Sequence, residues 1–454
     1  MKKLLIVICA SLLLVNLTFL RFAAAENASG QIVVDSSFNP TVVNQVNSVV
    51  VQPDGKVLIG GRFPGGLTRV NGDGTLDTAF TPPGFTTAVN TVVLQADGKI
   101  LVGSDGDNAN NALARLNANG TLDTLFAPDM LTIVWAIAIQ ADGKILVGSC
   151  CGIVRVDAVT GATDSSFINP LGAFPNTVRT IAVQPDGLIL IGGLFGEEGA
   201  IGTFIRRVAA NGALDSSFNA NVDSFVTDIA LQADGKILVS GSFLNIGGQP
   251  RRHFARLNST GAADAFNPNP DLNGVYSIAV QADGKILAGG NFQNIGGQSR
   301  NSRARLDATT GAADPSFIAD CRGGAVNTIA VQTDGKIVVG GAFNSIDSTE
   351  NFFHPYIARL IDNAPSAAMV SVGGQVLTAN GNGLSRARVT LTDTNGTTRT
   401  AITNSFGYFR FDAIEAGQTY IISAFHKRFQ FINQTQVVFV GDEITDLGFN
   451  ALPE

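Results

Sequence analysis

A short apolar run, a polar Asp-Gly turn and a second apolar run closing on small residues recur seven times along the chain. Val49-Val50-Val51-Gln52-Pro53-Asp54-Gly55-Lys56-Val57-Leu58-Ile59-Gly60-Gly61 is the first copy, and close variants surround Asp97, Asp142, Asp186, Asp234, Asp283 and Asp334. Successive aspartates lie 43, 45, 44, 48, 49 and 51 residues apart. A period in the forties with about four short strands per unit predicts propeller blades. Pro53 and Pro185 precede their Asp, where a fixed negative φ suits the first central residue of a type I turn, and the Gly that follows supplies the positive φ.

The second strand ends in Gly-Gly-x-Phe or a near variant at Phe63, Phe195, Phe243, Phe292 and Phe343. The third carries an Arg before an aliphatic residue: Arg69, Arg115, Arg155, Arg207, Arg256, Arg305 and Arg359. An Asp-x-x-Phe piece follows, with Asp77, Asp123, Asp164, Asp215, Asp314 and, one residue shorter, Asp264. A single ligand rarely needs every blade, so sevenfold recurrence predicts turn formers and hydrogen bonds inside blades. Asp35 to Phe38 stands before the first strand pair, whereas Ala358-Arg359-Leu360 ends the array without such a piece. Residues 31–38 are therefore expected to complete the last blade beside residues 356–361, removing two exposed edges.

Asp362-Asn363-Ala364-Pro365-Ser366 breaks the period, and residues 363–369 read as a linker. Residues 370–454 alternate apolar and polar positions in seven short runs, the rhythm of a small antiparallel β-sandwich. At the other end, Lys2-Lys3, an apolar stretch from Leu4 to Leu20 and Ala23-Ala24-Ala25 read as a secretory signal cleaved after Ala25. An uncleaved anchor is the alternative, because Leu4 to Ala25 is long enough to span a bilayer. The expected architecture is all-β: signal 1–25, seven-bladed β-propeller 26–362, linker, then sandwich.

The repeated phrase, with Ala-Arg-Leu and Asp-x-x-Phe downstream, resembles the delta-60 repeat β-propeller family of exported bacterial proteins over roughly residues 31–362. Leu188 departs from the usual Lys, and the third unit ends in Ser149-Cys150-Cys151. The resemblance implies a fold and no agreed activity. Gly374-Gln375-Val376, Arg388-Val389-Thr390-Leu391, Asn404-Ser405-Phe406-Gly407-Tyr408 and Gly417-Gln418-Thr419-Tyr420 resemble a carboxypeptidase regulatory-like, prealbumin-like sandwich, with Asn404 in place of the family's Asp. That family is an accessory module grouped with carbohydrate-binding-like folds, and implies no catalysis.

Charged residues are 15% of the chain and the net charge is −7, with no basic stripe, so nucleic acid is not an expected partner. Cys150, Cys151 and Cys321 form neither a disulfide framework nor a zinc spacing. His253, His354 and His426 are scattered over different units, and no metalloprotease helix, nucleophile elbow or phosphate loop occurs. Asn71 to Asp77 resembles a calcium loop but lacks its terminal acid and matches the ordinary turn at Asn117 to Asp123. No catalytic residue, metal or cofactor is expected. Outer loops of units four to seven vary most, including Glu197-Glu198, and variable loops on a rigid scaffold are where contacts concentrate. Arg251, Arg252, His253, Arg300, Arg303, Phe352, Phe353, His354 and Tyr356 are the candidate binding residues there. The expected function is an exported, monomeric, non-catalytic binding or scaffold protein meeting a protein or glycan; the alternative is a polysaccharide lyase or hydrolase with a central-channel site.

Overall fold

A computed structural model describes residues 32–106, 112–129, 132–172, 176–195, 204–317, 321–346, 355–362, 369–393, 396–415, 418–440 and 443–452. The expected signal, Glu197-Glu198, and Phe352, Phe353 and His354 lie outside these. The chain divides into two compact units, residues 31–362 and residues from Asn363 onward. All regular elements among the described residues are strands.

In the first unit each repeat folds as a three-stranded antiparallel sheet. The first blade has an inner strand Val46–Val51, a middle strand Val57–Gly61 and an outer strand Leu67–Val70. Seven such sheets occur among the described residues, and their inner strands neighbour one another in an unbroken circle from Val46–Val51 round to Val326–Val331. The middle strands are buried, except for the last residue, Leu194 or Asn291, of two of them, because a neighbouring blade covers each face. That double coverage explains why this strand reads as a continuous apolar run instead of alternating.

The Asp-Gly turns adopt one conformation. Gly143 has φ 84°, the Gln140 N–H donates to the Lys144 carbonyl, and the Lys144 N–H donates to the Asp142 carboxylate at 3.1 Å. The fourth piece of each repeat is shorter than expected. In the first blade only Leu76 bridges Val70, after which Asp77 opens a turn that drops Phe80 into the core. The chain turns away because the Asp77 carboxylate is held inward by Arg69 and caps the Ala79 N–H at 3.1 Å. The seventh blade alone has a true fourth strand. Ile32–Val34 pairs antiparallel with Ile357–Asp362, Val34 facing Leu360, and Asp35 and Phe38 follow in the usual roles.

One side-chain arrangement joins the blades. Arg69 donates through Nε to Asp77 at 2.8 Å, lies 4.4 Å from the Phe80 ring centroid, and donates through Nη1 to the Ala118 carbonyl of the next blade at 2.6 Å. Arg115 reaches Ala158, Arg155 reaches Ala210, Arg207 reaches Ser259 and Arg256 reaches Ala308 in the same way. Arg359 closes the circle onto the Gly72 carbonyl at 2.5 Å. Arg305 has no such turn to meet, because the seventh blade leaves for the linker there, and it pairs with the Asp362 carboxylate instead. The Lys56 hydrogen bond does most to hold the Asp77 carboxyl below its ordinary pKa, with the Ala79 N–H and Arg69 adding to it against burial.

The second unit is a sandwich of two sheets. One orders the strands Tyr408–Glu415, Met369–Leu377 and Ile444–Asn450; the other has Thr398–Ile402, Arg388–Thr392, Gln418–Phe425 and Thr435–Val440. Pairing is antiparallel except between Met369–Leu377 and Ile444–Asn450, which run parallel. Val376, Leu391, Phe409, Phe411, Ile422 and Phe449 fill the space between the sheets. Asn404 does the turn work of an Asp: its Oδ1 accepts from the Phe406 and Tyr408 N–H groups, both at 3.0 Å.

Gly143→Val should therefore destabilise the propeller by about 1–3 kcal/mol, since a β-branched residue at positive φ is strained even where space is open. Denaturant unfolding checks this, and an unchanged midpoint would contradict the turn assignment.

Candidate functional site

Every inner strand carries a β-bulge at the same place. In the first blade Val46 pairs with Gly61 and Ser48 with Gly60, leaving Asn47 unpaired between them. The glycines permit this: a Cβ on Gly61 would sit 2.2 Å from the Gln45 carbonyl oxygen. The same register shift extrudes Asn90, Trp135, Arg179, Thr227, Tyr276 and Asn327 from the other six blades. Bulges re-aim side chains, and these seven converge on one cavity of about 580 Å³ at the mouth of the central channel. That size suits a small ligand or a few sugar rings. Gln45, Arg62 and Phe225 also line it, which places it at the end opposite the Asp-Gly turns.

Four of the extruded residues have a structural task. Asn47, Asn90 and Asn327 donate through Nδ2 to the Val89, Val134 and Val46 carbonyls of the following blade at 3.0, 3.2 and 3.0 Å. Thr227 does the same to Val275 through its hydroxyl at 2.9 Å. Trp135, Arg179 and Tyr276 occupy equivalent positions and give up this bridge. The Arg179 guanidinium stacks on Trp135, 3.9 Å from the ring centroid, and makes no hydrogen bond among the described residues. Desolvation by the cavity wall lowers its pKa, and the nearby Asp105 charge opposes that. Burial likewise raises the Tyr276 phenol, against hydrogen bonds with Asn291 and Asn273.

In five blades the residue after the bulge makes a second tie to the following blade. The Ser48, Thr180, Ser277 and Thr328 hydroxyls accept from the Val92, Ile229, Ile329 and Val49 N–H groups of the following blade. Asp228 stands at this position in the fifth blade. Its Oδ2 accepts from the Ile278 N–H at 2.8 Å and its Oδ1 from the Ile229 N–H at 2.9 Å. Burial pushes its carboxyl up to about 6 in spite of these hydrogen bonds.

The loop residues expected to bind sit elsewhere and mostly serve the fold. Arg251 donates to the Pro250 and Asp264 carbonyls, and Arg300 to the Ser299 and Asp314 carbonyls, each fastening its own loop to its own blade. Arg303 is 1% exposed and His253 7%, the latter with its ring nitrogen 3.1 Å from the Gly241 carbonyl. Tyr356 is half-buried against the Val338 and Ile357 cluster. Arg252 is exposed. Repeated local folding accounts for them: Asn245–Ile246 with Gln249–Pro250, and Asn294–Ile295 with Gln298–Ser299, form matching hairpins. The missed residues did leave a signal. The first x of Val-x-x-Ile is Asn or Thr in four repeats but Trp, Arg and Tyr in the other three.

Among the described residues, no group of three or more His, Cys, Asp or Glu could hold a metal ion. In the sandwich unit, Arg386, Arg388, Lys427 and Arg428 surround a hollow of about 620 Å³ beside Phe425. All four cations are exposed, so water already solvates them.

Six stretches, residues 52–80, 95–126, 184–218, 232–266, 281–317 and 332–360, match the family model described as "Domain of unknown function (DUF5122) beta-propeller". Residues 371–451 match the carboxypeptidase regulatory-like domain. No curated protein sequence matches the chain. Among solved structures, the WD40 β-propeller domain of Doa1 is similar at 15% identity and TM-score 0.50, over 73% of this chain and 96% of that one. A catalytically inactive virginiamycin B lyase from Staphylococcus aureus, solved with quinupristin, is similar at 15% and 0.50, over 73% and 98%. The extracellular domain of the putative one-component system BT4673 from B. thetaiotaomicron is similar at 12% identity and 0.47, over 94% of this chain; the chain spans 58% of that protein's length. At these identities the likeness concerns the fold.

Asp228 gives a pH test. Its folded pKa lies above its ordinary 3.8, so the native state binds more protons between these values and stability falls as pH rises from about 4 to 6. Asp228→Thr, which supplies the hydroxyl found in other blades, should raise stability at pH 8 by on the order of 2 kcal/mol and change it little at pH 4. Unfolding midpoints at the two pH values check it; an equal effect at both would contradict the burial argument.

Proposed function

This chain belongs to the DUF5122 (delta-60 type) β-propeller family and carries a carboxypeptidase regulatory-like domain, and we propose that it is an exported binding protein that holds a ligand at the channel mouth without transforming it. One observation carries the reading. Seven equivalent bulges converge on one cavity, and three of them exchange a blade-bridging side chain for Trp135, Arg179 and Tyr276. Giving up the hydrogen bond to the next inner strand costs stability that the Trp135–Arg179 stack offsets only in part, so we take those three residues to serve what enters the cavity. Trp, Tyr and Arg are also the residue types that dominate binding energy.

Binding without catalysis is favoured because Asp228, the carboxyl lining the cavity, has both oxygens engaged by strand N–H groups. A general acid or base needs an oxygen within hydrogen-bond reach of the reacting group. Export rests on Lys2-Lys3, the apolar run and Ala23-Ala24-Ala25. We expect a monomer, because the outer edge strands of the three-stranded blades are only four or five residues long. In this reading the contacts fall at the centre of the rim opposite the Asp-Gly turns, not on its outer loops.

The test replaces Trp135, Arg179 and Tyr276 together by Asn, restoring the bridging amide. The mature wild-type and triple-variant chains are compared on glycan and protein arrays. The variant should fold at least as stably and lose at least about tenfold in affinity for whatever the wild type captures. Equal binding by both chains would reject the site, and cleavage of the captured ligand by the wild type would favour the lyase or hydrolase alternative.

A further inference from the structure

We propose that the channel mouth selects an acidic oligosaccharide, with Arg179 pairing with the carboxylate of a uronic acid residue and Arg62 meeting a second carboxylate across the mouth. The inference rests on the binding reading above and names its ligand class.

The charged residues lining the cavity are Arg62, Arg179 and Asp228. Asp228 is half-buried, and both its oxygens are turned onto strand N–H groups. Asp105, whose Oδ1 accepts from Asn90 at 2.8 Å, lies behind the wall, so the cations that face the opening are Arg62 and Arg179. Arg179 is accessible in the channel, fixed in place by stacking on Trp135, and makes no hydrogen bond among the described residues. A guanidinium so held presents its donor fork ready-made for a planar carboxylate, which it grips with two parallel hydrogen bonds. Arg62 follows the middle strand of the first blade, and Arg179 stands on the inner strand of the fourth, three blades away round the ring. A ligand that engages both must carry anionic groups at separated points.

Between the two arginines the wall, Asp228 apart, carries polar uncharged side chains beside Trp135 and Phe225. Asn47, Asn90, Asn327, Thr227 and Tyr276 are amides and hydroxyls. Asn90 is 9% exposed and its Oδ1 has no hydrogen-bond partner. Amides with an aromatic ring suit hydroxyl-bearing sugar rings, whereas an acidic peptide would present backbone and apolar atoms to the same wall. The two features together favour a polyhydroxylated chain with repeated carboxylates.

Trp135 is the chain's only tryptophan, so its fluorescence reports on this site alone. The mature protein is titrated with an oligogalacturonate, with a neutral galacto-oligosaccharide of the same length, and with oligoglutamate. Arg179→Gln and Arg179→Lys are run in parallel, their folding checked by thermal unfolding. Oligogalacturonate should give a saturable change, at least about tenfold tighter than the neutral sugar and weakened by about 0.5 M salt. Arg179→Gln should erase the preference for the acidic sugar, and Arg179→Lys should keep part of it. Equal binding of neutral and acidic sugars, a preference surviving Arg179→Gln, tighter binding of oligoglutamate, or no response to any probe would each overturn the inference. If in such a case the arrays still capture a ligand lost by the triple Asn variant, the binding site stands and only the ligand class falls. If that variant also binds as wild type, both fall.

Discussion

The architecture depends on one buried arginine per blade that belongs to two blades at once. Its Nε pairs with the Asp of its own repeat, its face lies on the Phe three residues further on, and its Nη1 satisfies a turn carbonyl of the next repeat. Removing the arginine would take a charged partner from a carboxylate, and leave a turn carbonyl unmet and a ring face uncovered. Because the contact always points to the following blade, it works only if the last repeat has a next one. Arg359 finds it in Gly72, while its own Asp comes from the amino-terminal strand through Asp35. Where the chain exits the ring at Asp362, the repeat's turn is lost, and the carboxylate of Asp362 takes the carbonyl's place beside Arg305.

Ties set this far out leave the inner strands free to bulge. The bulge brings one side chain per blade to the axis, and Gly61, Gly193, Gly241, Gly290 and Gly341 make room for it in five of the seven blades. Where the residue is Asn or Thr it binds the neighbouring strand and adds to the ring. Where it is Trp, Arg or Tyr, the ring forgoes that tie and the cavity gains an aromatic face and a fixed cation. The scaffold tolerates three such losses because the outer arginines remain, with hydroxyl ties from Thr180 and Ser277 beside two of the bulges.

The repeat made the fold legible. The Asp-Gly turns require a left-handed glycine, and Gly55, Gly98, Gly143, Gly187, Gly235, Gly284 and Gly335 all have φ between 81° and 85°. The split count of Asp-x-x-Phe pieces foretold that Ile32–Val34 joins the seventh blade. Strand direction in the sandwich was not legible: alternation marks a strand but not its partner, and the parallel pairing of Met369–Leu377 with Ile444–Asn450 is long-range. The candidate site at the channel mouth was not legible for a related reason. Loop length drew attention to Arg251, Arg300 and Arg303, yet arginines in long loops are well suited to tie those loops down, and these three do so or are buried. The informative variation lay inside the repeat, at a strand position whose outward aim depends on a bulge that no single repeat announces.

The central claim is that the arginine ring, through its closing member, holds the blades together. Denaturant unfolding of Arg359→Met, with Arg252→Met as an exposed control, tests it most directly. Met matches the apolar stem but offers nothing to Asp35 or to Gly72. The expected result is a loss of about 3–5 kcal/mol for Arg359→Met, as for a buried pair robbed of one partner, and a change within about 0.5 kcal/mol for the control. An Arg359→Met protein as stable as the control would contradict the account.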